Sequence, residues 1–177
     1  ILDENAFFSL DSLKSSSDFT YEYYDNSIHY RLYYSFCHLT NKTCNGFSAY
    51  ALLFKIDSSN NEESTTCIHL SSTSSLSNFA YSLNNPDDAS DGIQLSLLNG
   101  DAFPSSTSSQ TSYYQAIFKI YCTKNHLPVP FLINEITNDQ NQYLIIGESL
   151  AGCPIIENNP VYQFILDNRI VIGIIMI

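Results

Sequence analysis

The 177-residue sequence predicts an all-β domain, a flattened β-barrel or a two-sheet antiparallel sandwich, ending in an apolar C-terminal tail. Three observations predict it. Apolar and polar residues alternate over several short windows, the period of half-buried strands. The chain carries 13 Tyr and 11 Phe, which favour pleated surfaces. No window of helical length holds a sustained i, i+3, i+4 apolar stripe.

The elements follow in order. Over residues 29–37, Tyr30, Leu32, Tyr34 and Phe36 share one face and His29, Arg31 and Ser35 the other. A turn-rich stretch from His38 to Gly46 follows. Phe47 to Asp57 reads as a strand, Asn60-Asn61 as a turn, and Thr65 to Leu70 as a short strand. A polar stretch runs to Asn85-Pro86-Asp87-Asp88, with Ser71–Ser77 read as loop. Ile93, Leu95 and Leu97 alternate again, and Asn99-Gly100 is a turn signal. Ser105 to Ser112 is a polar loop, Ala116 to Cys122 a strand, and Pro128 and Pro130 punctuate the connection to a strand at Tyr143 to Ile146.

Charge narrows the partners. Seven Lys and Arg stand against 18 Asp and Glu, a formal net charge of −11. Nucleic acid binding needs cations that displace counterions from phosphates, and no basic stripe exists here. Docking on anionic lipid headgroups is disfavoured for the same reason. Charged residues are only 14%, against roughly 25% in ordinary soluble domains. Solubility therefore rests on Ser, Asn, Thr and Tyr, or on attached sugar.

The five Cys form no C-x-x-C pair, so they read as disulfides of an oxidising compartment, secreted or lumenal, with one thiol left over. Asn41-Lys42-Thr43 is an N-glycosylation sequon, which agrees with a secretory route. The opening at Ile1, with no initiating Met and no apolar leader, reads as a mature chain. At the other end Ile170, Val171, Ile172, Ile174, Ile175 and Ile177 make an apolar run. A membrane span needs about 20 such residues. The run is expected to be either the start of a truncated span or a strand that packs, including onto another copy of the chain.

No residue set supports catalysis, a cofactor or a metal. Gly147-Glu148-Ser149-Leu150-Ala151 approaches a nucleophile elbow, but Gly152-Cys153-Pro154 does not begin the helix that motif needs. Asp87, Asp88 and Asp91 read as a solvated turn. His29, His38, His69 and His126 lack metal-type spacing. Tyr21-Glu22-Tyr23-Tyr24 and Tyr113-Tyr114 read as strand or rim positions, or as an aromatic platform for sugar or a partner.

An ordered set of motifs resembles the mannose-6-phosphate receptor homology domain. Phe8-Ser9-Leu10-Asp11-Ser12-Leu13 is similar to that family's opening motif, and Tyr33-Tyr34-Ser35-Phe36-Cys37 to its strand ending in Cys. Cys44 and Cys67 match its next cysteines. Asp91-Gly92-Ile93-Gln94-Leu95 with Asn99-Gly100-Asp101, Ile117 to Cys122, and Tyr143 to Cys153 resemble its later segments. The match spans about Phe7 to Cys153.

The resemblance implies a receptor-homology-like domain over 1–153 and a tail over 154–177. It implies pairing of Cys44 with Cys67 and of Cys122 with Cys153, each worth about 2–4 kcal/mol. Cys37 is then the unpaired thiol, read either as a buried inert Cys or as a bridge to another chain. The family reads mannose with Gln, Arg, Glu and Tyr. The Gln position falls at Ile68, the Arg near Tyr114, and the Glu near Asn138 with Glu135 close by; Tyr143 alone keeps its identity. Ile and Tyr supply neither the amide nor the guanidinium fork, and Gln115 and Arg31 are the candidates to replace them. In the phosphate loop Asp101 remains, but Pro104 stands where a second acid would help hold a metal. The expectation is a non-enzymatic extracellular or lumenal glycoprotein module that binds its own copies or another glycoprotein, with a sugar on Asn41. The alternative is a membrane-anchored, carbohydrate-binding sorting receptor.

Overall fold

The computed structural model describes residues 6–57, 62–73, 78–104, 111–125, 127 and 129–156. In chain order the strands are β1 (Ala6–Phe7), β2 (Phe19–Asp25), β3 (Ile28–Tyr34), β4 (Ala51–Asp57), β5 (Glu62–His69), β6 (Phe79–Leu83) and β7 (Ile93–Leu97). They continue as β8 (Ala102–Phe103), β9 (Ser112–Tyr113), β10 (Gln115–Cys122), β11 (Leu132–Asp139), β12 (Gln142–Ser149) and β13 (Ile155–Ile156). The helical elements among the described residues are short 3-10 turns.

Two sheets form the sandwich. One has the order β2-β3-β4-β5, the other β11-β12-β10-β7-β6. Each keeps two free edges among the described residues, so the sheets do not close, and the barrel alternative is corrected in favour of the sandwich. The expectation of purely antiparallel pairing is also corrected. β10 and β12 run parallel from Gln115↔Gln142 to Cys122↔Ser149. The hairpin of β11 and β12 turns at Gln140, with φ 56, and inserts β12 between β11 and β10. β12 therefore meets β10 in the same direction.

Alternation places the core. In β3, Leu32 and Tyr34 face inward, and Phe36 continues the stripe. Phe118 and Ile120 of β10, Leu95 of β7 and Ile145 of β12 face them from the second sheet. The aromatic centre is interlocked: the Phe36 ring lies 5.1 Å from Phe118 and 5.7 Å from Phe131, both edge to face. Such pairs add about 0.5–1.5 kcal/mol beyond their area. Leu13 of the opening motif is fully buried, with Phe8 and Leu10 packed beside it. The β2–β3 turn uses Asn26 and Ser27 at φ 48 and 67, the two left-handed positions of a tight hairpin.

A second, smaller core lies on the outer face of the first sheet. Cys44, Ala49, Leu52 and Phe54 are buried there, with Tyr33 and Cys67 packed against them. The 37–49 loop covers this face, and the Cys44–Cys67 bridge ties it to β5, with Cα atoms 5.8 Å apart. Cys122–Cys153 joins the end of β10 to the turn after β12. Both pairings are those the resemblance implies, and two disulfides are consistent with an extracellular or lumenal location. Ile155 and Ile156, placed in the tail by sequence, pair with Phe7 and Ala6. The apolar run 170–177 and His126 lie outside the described residues.

Candidate functional site

Three of the four pocket-equivalent positions converge at one end of the sandwich. Tyr143 opens the inward alternation of β12 and is 7% exposed. Asn138 is its direct cross-strand partner on β11, so the two side chains share a sheet face. Tyr114, just before β10, holds its ring 6.2 Å from that of Tyr143 and meets Phe103 edge to face at 5.3 Å. Ile68 pairs with Leu53 in the facing sheet and packs against the main core.

Tyr23, which the sequence offers as a strand or rim position or as part of an aromatic platform, lines the space beside Tyr143, and Tyr30 backs it. Tyr23 and Tyr30 stack at 5.5 Å. Burial pushes the Tyr23 and Tyr143 phenols well above their ordinary range, and each is also raised by nearby phenols and by Asp25. Burial raises Tyr30 and Tyr114 as well. The phenols thus stay neutral, and the site offers hydroxyls rather than charge. The period-two pattern of 19–25 was the signal that would have found Tyr23. Between the sheets, Tyr23, Leu32, Leu53, Leu70, Ile136, Tyr143 and Ile145 line a narrow cleft too tight to admit water.

Neither candidate replacement reaches this cleft. Arg31 faces outward, on the side of β3 opposite Tyr30 and Leu32. Its Nε donates to Glu22 at 2.8 Å and its Nη1 to Glu63 at 2.9 Å. Glu63 also accepts from the Tyr33 hydroxyl and pairs with Lys42, whose ammonium lies 5.1 Å from the Phe54 ring. Burial alone would raise the Glu63 carboxyl, but bonds from Lys42, Tyr33 and Arg31 outweigh it and hold it below the usual value. Arg31 is therefore part of a closed ionic clamp over the outer core. Gln115 alternates with the buried Ala116 and so points away from the cleft.

The loop after β7 is also committed to structure. The backbone N–H of His69 donates to Asp101 Oδ2 at 2.8 Å, and His69 Nδ1 lies 3.1 Å from the same carboxylate. Gly100 fits beneath because it has no side chain: a Cβ there would sit 2.1 Å from the His69 carbonyl oxygen. Among the described residues no three His, Cys, Asp or Glu side chains group as metal ligands would.

The remaining candidates have structural roles. Ser149 is fully buried; its hydroxyl donates to the Pro130 carbonyl at 2.7 Å and accepts from the Ala151 N–H at 3.1 Å. Asp88 caps the turn 89–91 through the Ser90 N–H. His29 bonds Glu22 at 2.9 Å under the stacked Tyr24 ring, and His38 bonds the carbonyls of Leu39 and Ser15. Cys37 is unpaired and exposed, which corrects the reading of a buried, inert thiol. Asn41 is exposed on a loop pinned by Asp18, whose carboxylate accepts the backbone N–H groups of Asn41 and Lys42 at 2.8 and 3.0 Å. No family model matches the chain, and no match is found among curated proteins.

Proposed function

We propose that this chain is a non-enzymatic interaction and self-assembly module of the extracellular or lumenal space, a divergent domain of the mannose-6-phosphate receptor homology type whose sugar pocket has closed. One observation carries the reading. Of the positions where that family reads mannose, Tyr143 lines a gap between the sheets that is walled by tyrosine and aliphatic side chains and admits no water, and Ile68 and Tyr114 pack against the main core. A hydroxyl-reading site works by satisfying each hydroxyl, and an apolar wall leaves them unpaired. Among the described residues the one guanidinium, Arg31, faces the opposite side of its sheet and is held between two carboxylates.

Calorimetric titration with mannose and with its 6-phosphate tests the closed pocket; the expected outcome is no heat of binding, and micromolar affinity overturns it. Size-exclusion chromatography with light scattering tests assembly. The glycoprotein should elute as an oligomer, and deletion of residues 161–177 decides whether the apolar run takes part.

A further inference from the structure

The outer strands of the two large sheets meet solvent differently. β2 carries Glu22 and Asp25, β5 carries Glu62 and Glu63, and β11 carries Glu135, Asp139 and a bulge after Ile133. Charges and bulges on an edge discourage pairing with another chain. β6, Phe79-Ala80-Tyr81-Ser82-Leu83, has neither, and pairs with β7 without a break in register. The bonds flanking it fix which backbone groups face out. Leu98 N–H donates to Asn78 C=O, and Asn84 N–H to Gly92 C=O. The even-numbered residues therefore bond to β7, and the N–H and C=O of Phe79, Tyr81 and Leu83 point away from the sheet. Among the described residues no strand lies beyond β6.

We infer that β6 pairs antiparallel with β6 of a second copy about a two-fold axis at Tyr81, joining the two five-stranded sheets into one. This rests on the self-assembly reading and gives it a surface. The strand is self-complementary. Tyr81 meets its own copy and Phe79 meets Leu83, all through outward-facing backbone groups, while Ala80 stands opposite Ser82. Such an isologous contact closes at two copies. A chain of net charge −11 repels its copy, and an uncharged edge is where that repulsion is least. Phe79, Tyr81 and Leu83 are half-buried on the inner face, so pairing covers their remaining apolar surface.

Cys37 must be removed before any cross-link is read. Its thiol is free and exposed. Beyond the larger effect of burial, the thiol also raises the Tyr81 phenol.

Register-specific cross-linking tests the seam. In a Cys37→Ser background, Ala80→Cys mixed with Ser82→Cys should give a disulfide-linked dimer under mild oxidation, since a non-hydrogen-bonded pair brings Cα atoms to about 4.5 Å. Ala80→Lys with Ser82→Lys, both on the solvent face, should shift the dimer to monomer while circular dichroism stays unchanged. A dimer that survives the lysine pair but is lost with residues 161–177 overturns the β6 seam and leaves assembly standing. A monomer in every form overturns both.

Discussion

The Asp101 carboxylate accepts the backbone N–H of His69 at 2.8 Å and faces the His69 ring at 3.1 Å, which fastens the loop after β7 to the end of β5. Asp101→Ala leaves a part-buried N–H without its acceptor. The expected loss is about 1–3 kcal/mol, read as a lower urea midpoint, with Asp101→Asn losing less. Added calcium should leave the midpoint unchanged, because the carboxylate is already engaged. A rise in stability with calcium would show that the loop still holds a metal.

The ionic clamp sets an acid limit. The Glu63 carboxyl, and Glu22 beside Arg31, are held below their usual values. A carboxyl with a depressed folded value stabilises the fold above its unfolded value, near 4.5, and that contribution is lost as pH falls further. Glu63→Gln should cost about 1–3 kcal/mol at neutral pH. The gap between variant and parent should narrow progressively below pH 4.5, in urea titrations run at several pH values. A gap that does not depend on pH would assign the loss to packing.

Two glycines should fail for different reasons. Gly100→Ala drives a Cβ into the His69 carbonyl, at a cost of about 1–3 kcal/mol. Gly46, at φ +85, has open space around it; Gly46→Ala pays only backbone strain, roughly 1–2 kcal/mol. Gly46→Asn should recover part of that loss, and Gly100→Asn should recover none.

The disulfides act on different parts of the fold. Replacing Cys122 and Cys153 by Ser, or Cys44 and Cys67 by Ser, should each cost about 2–4 kcal/mol. Hydrogen exchange separates them. Loss of Cys44–Cys67 should raise exchange in the 37–49 loop, and loss of Cys122–Cys153 should raise it at the ends of β10 and β12. A peptide map of the unreduced protein with any other linkage would contradict the fold.

Glycan on Asn41 should appear as mass removed by an amidase and absent from Asn41→Gln. Because Asp18 holds the loop through backbone N–H groups rather than through a sugar, the urea midpoint of Asn41→Gln should stay within about 0.5 kcal/mol of the parent.

Interior strands were the legible part of this sequence. β10 and β12 bury an alternating stripe, β4 is buried on both faces, and β3 and β7 are also apolar on their inner face; all five stand out in 29–37, 47–57, 93–97, 116–122 and 143–146. β6 and β11 were not read as strands and β2 only as strand or rim positions, and all three are sheet edges, although the edge strand β5 was read in part at Thr65 to Leu70. An edge strand meets the core with one face and needs fewer apolar residues, so Phe79-Ala80-Tyr81-Ser82-Leu83 blends into polar surroundings, and the bulge after Ile133 breaks the period of β11. The Asn99-Gly100 turn was legible, but Gly100 is needed for a close approach, and Asn99 takes the positive φ of 59. At the site, Tyr143 and its neighbours came from the family pattern. The Arg31 clamp did not, since its bond to Glu63 joins residues 32 positions apart and leaves no trace in local spacing.

β12 is synthesised after both of its neighbours, yet it lies between them. A nascent chain that has emerged only as far as β11 can pair β10, β7 and β6 but leaves β11 with no neighbour in the sheet, and Cys122 still lacks Cys153. Folding of the second sheet must therefore wait on the ribosome until β12 has cleared the exit. During that interval the edge of β10 that later pairs with β12 stays open.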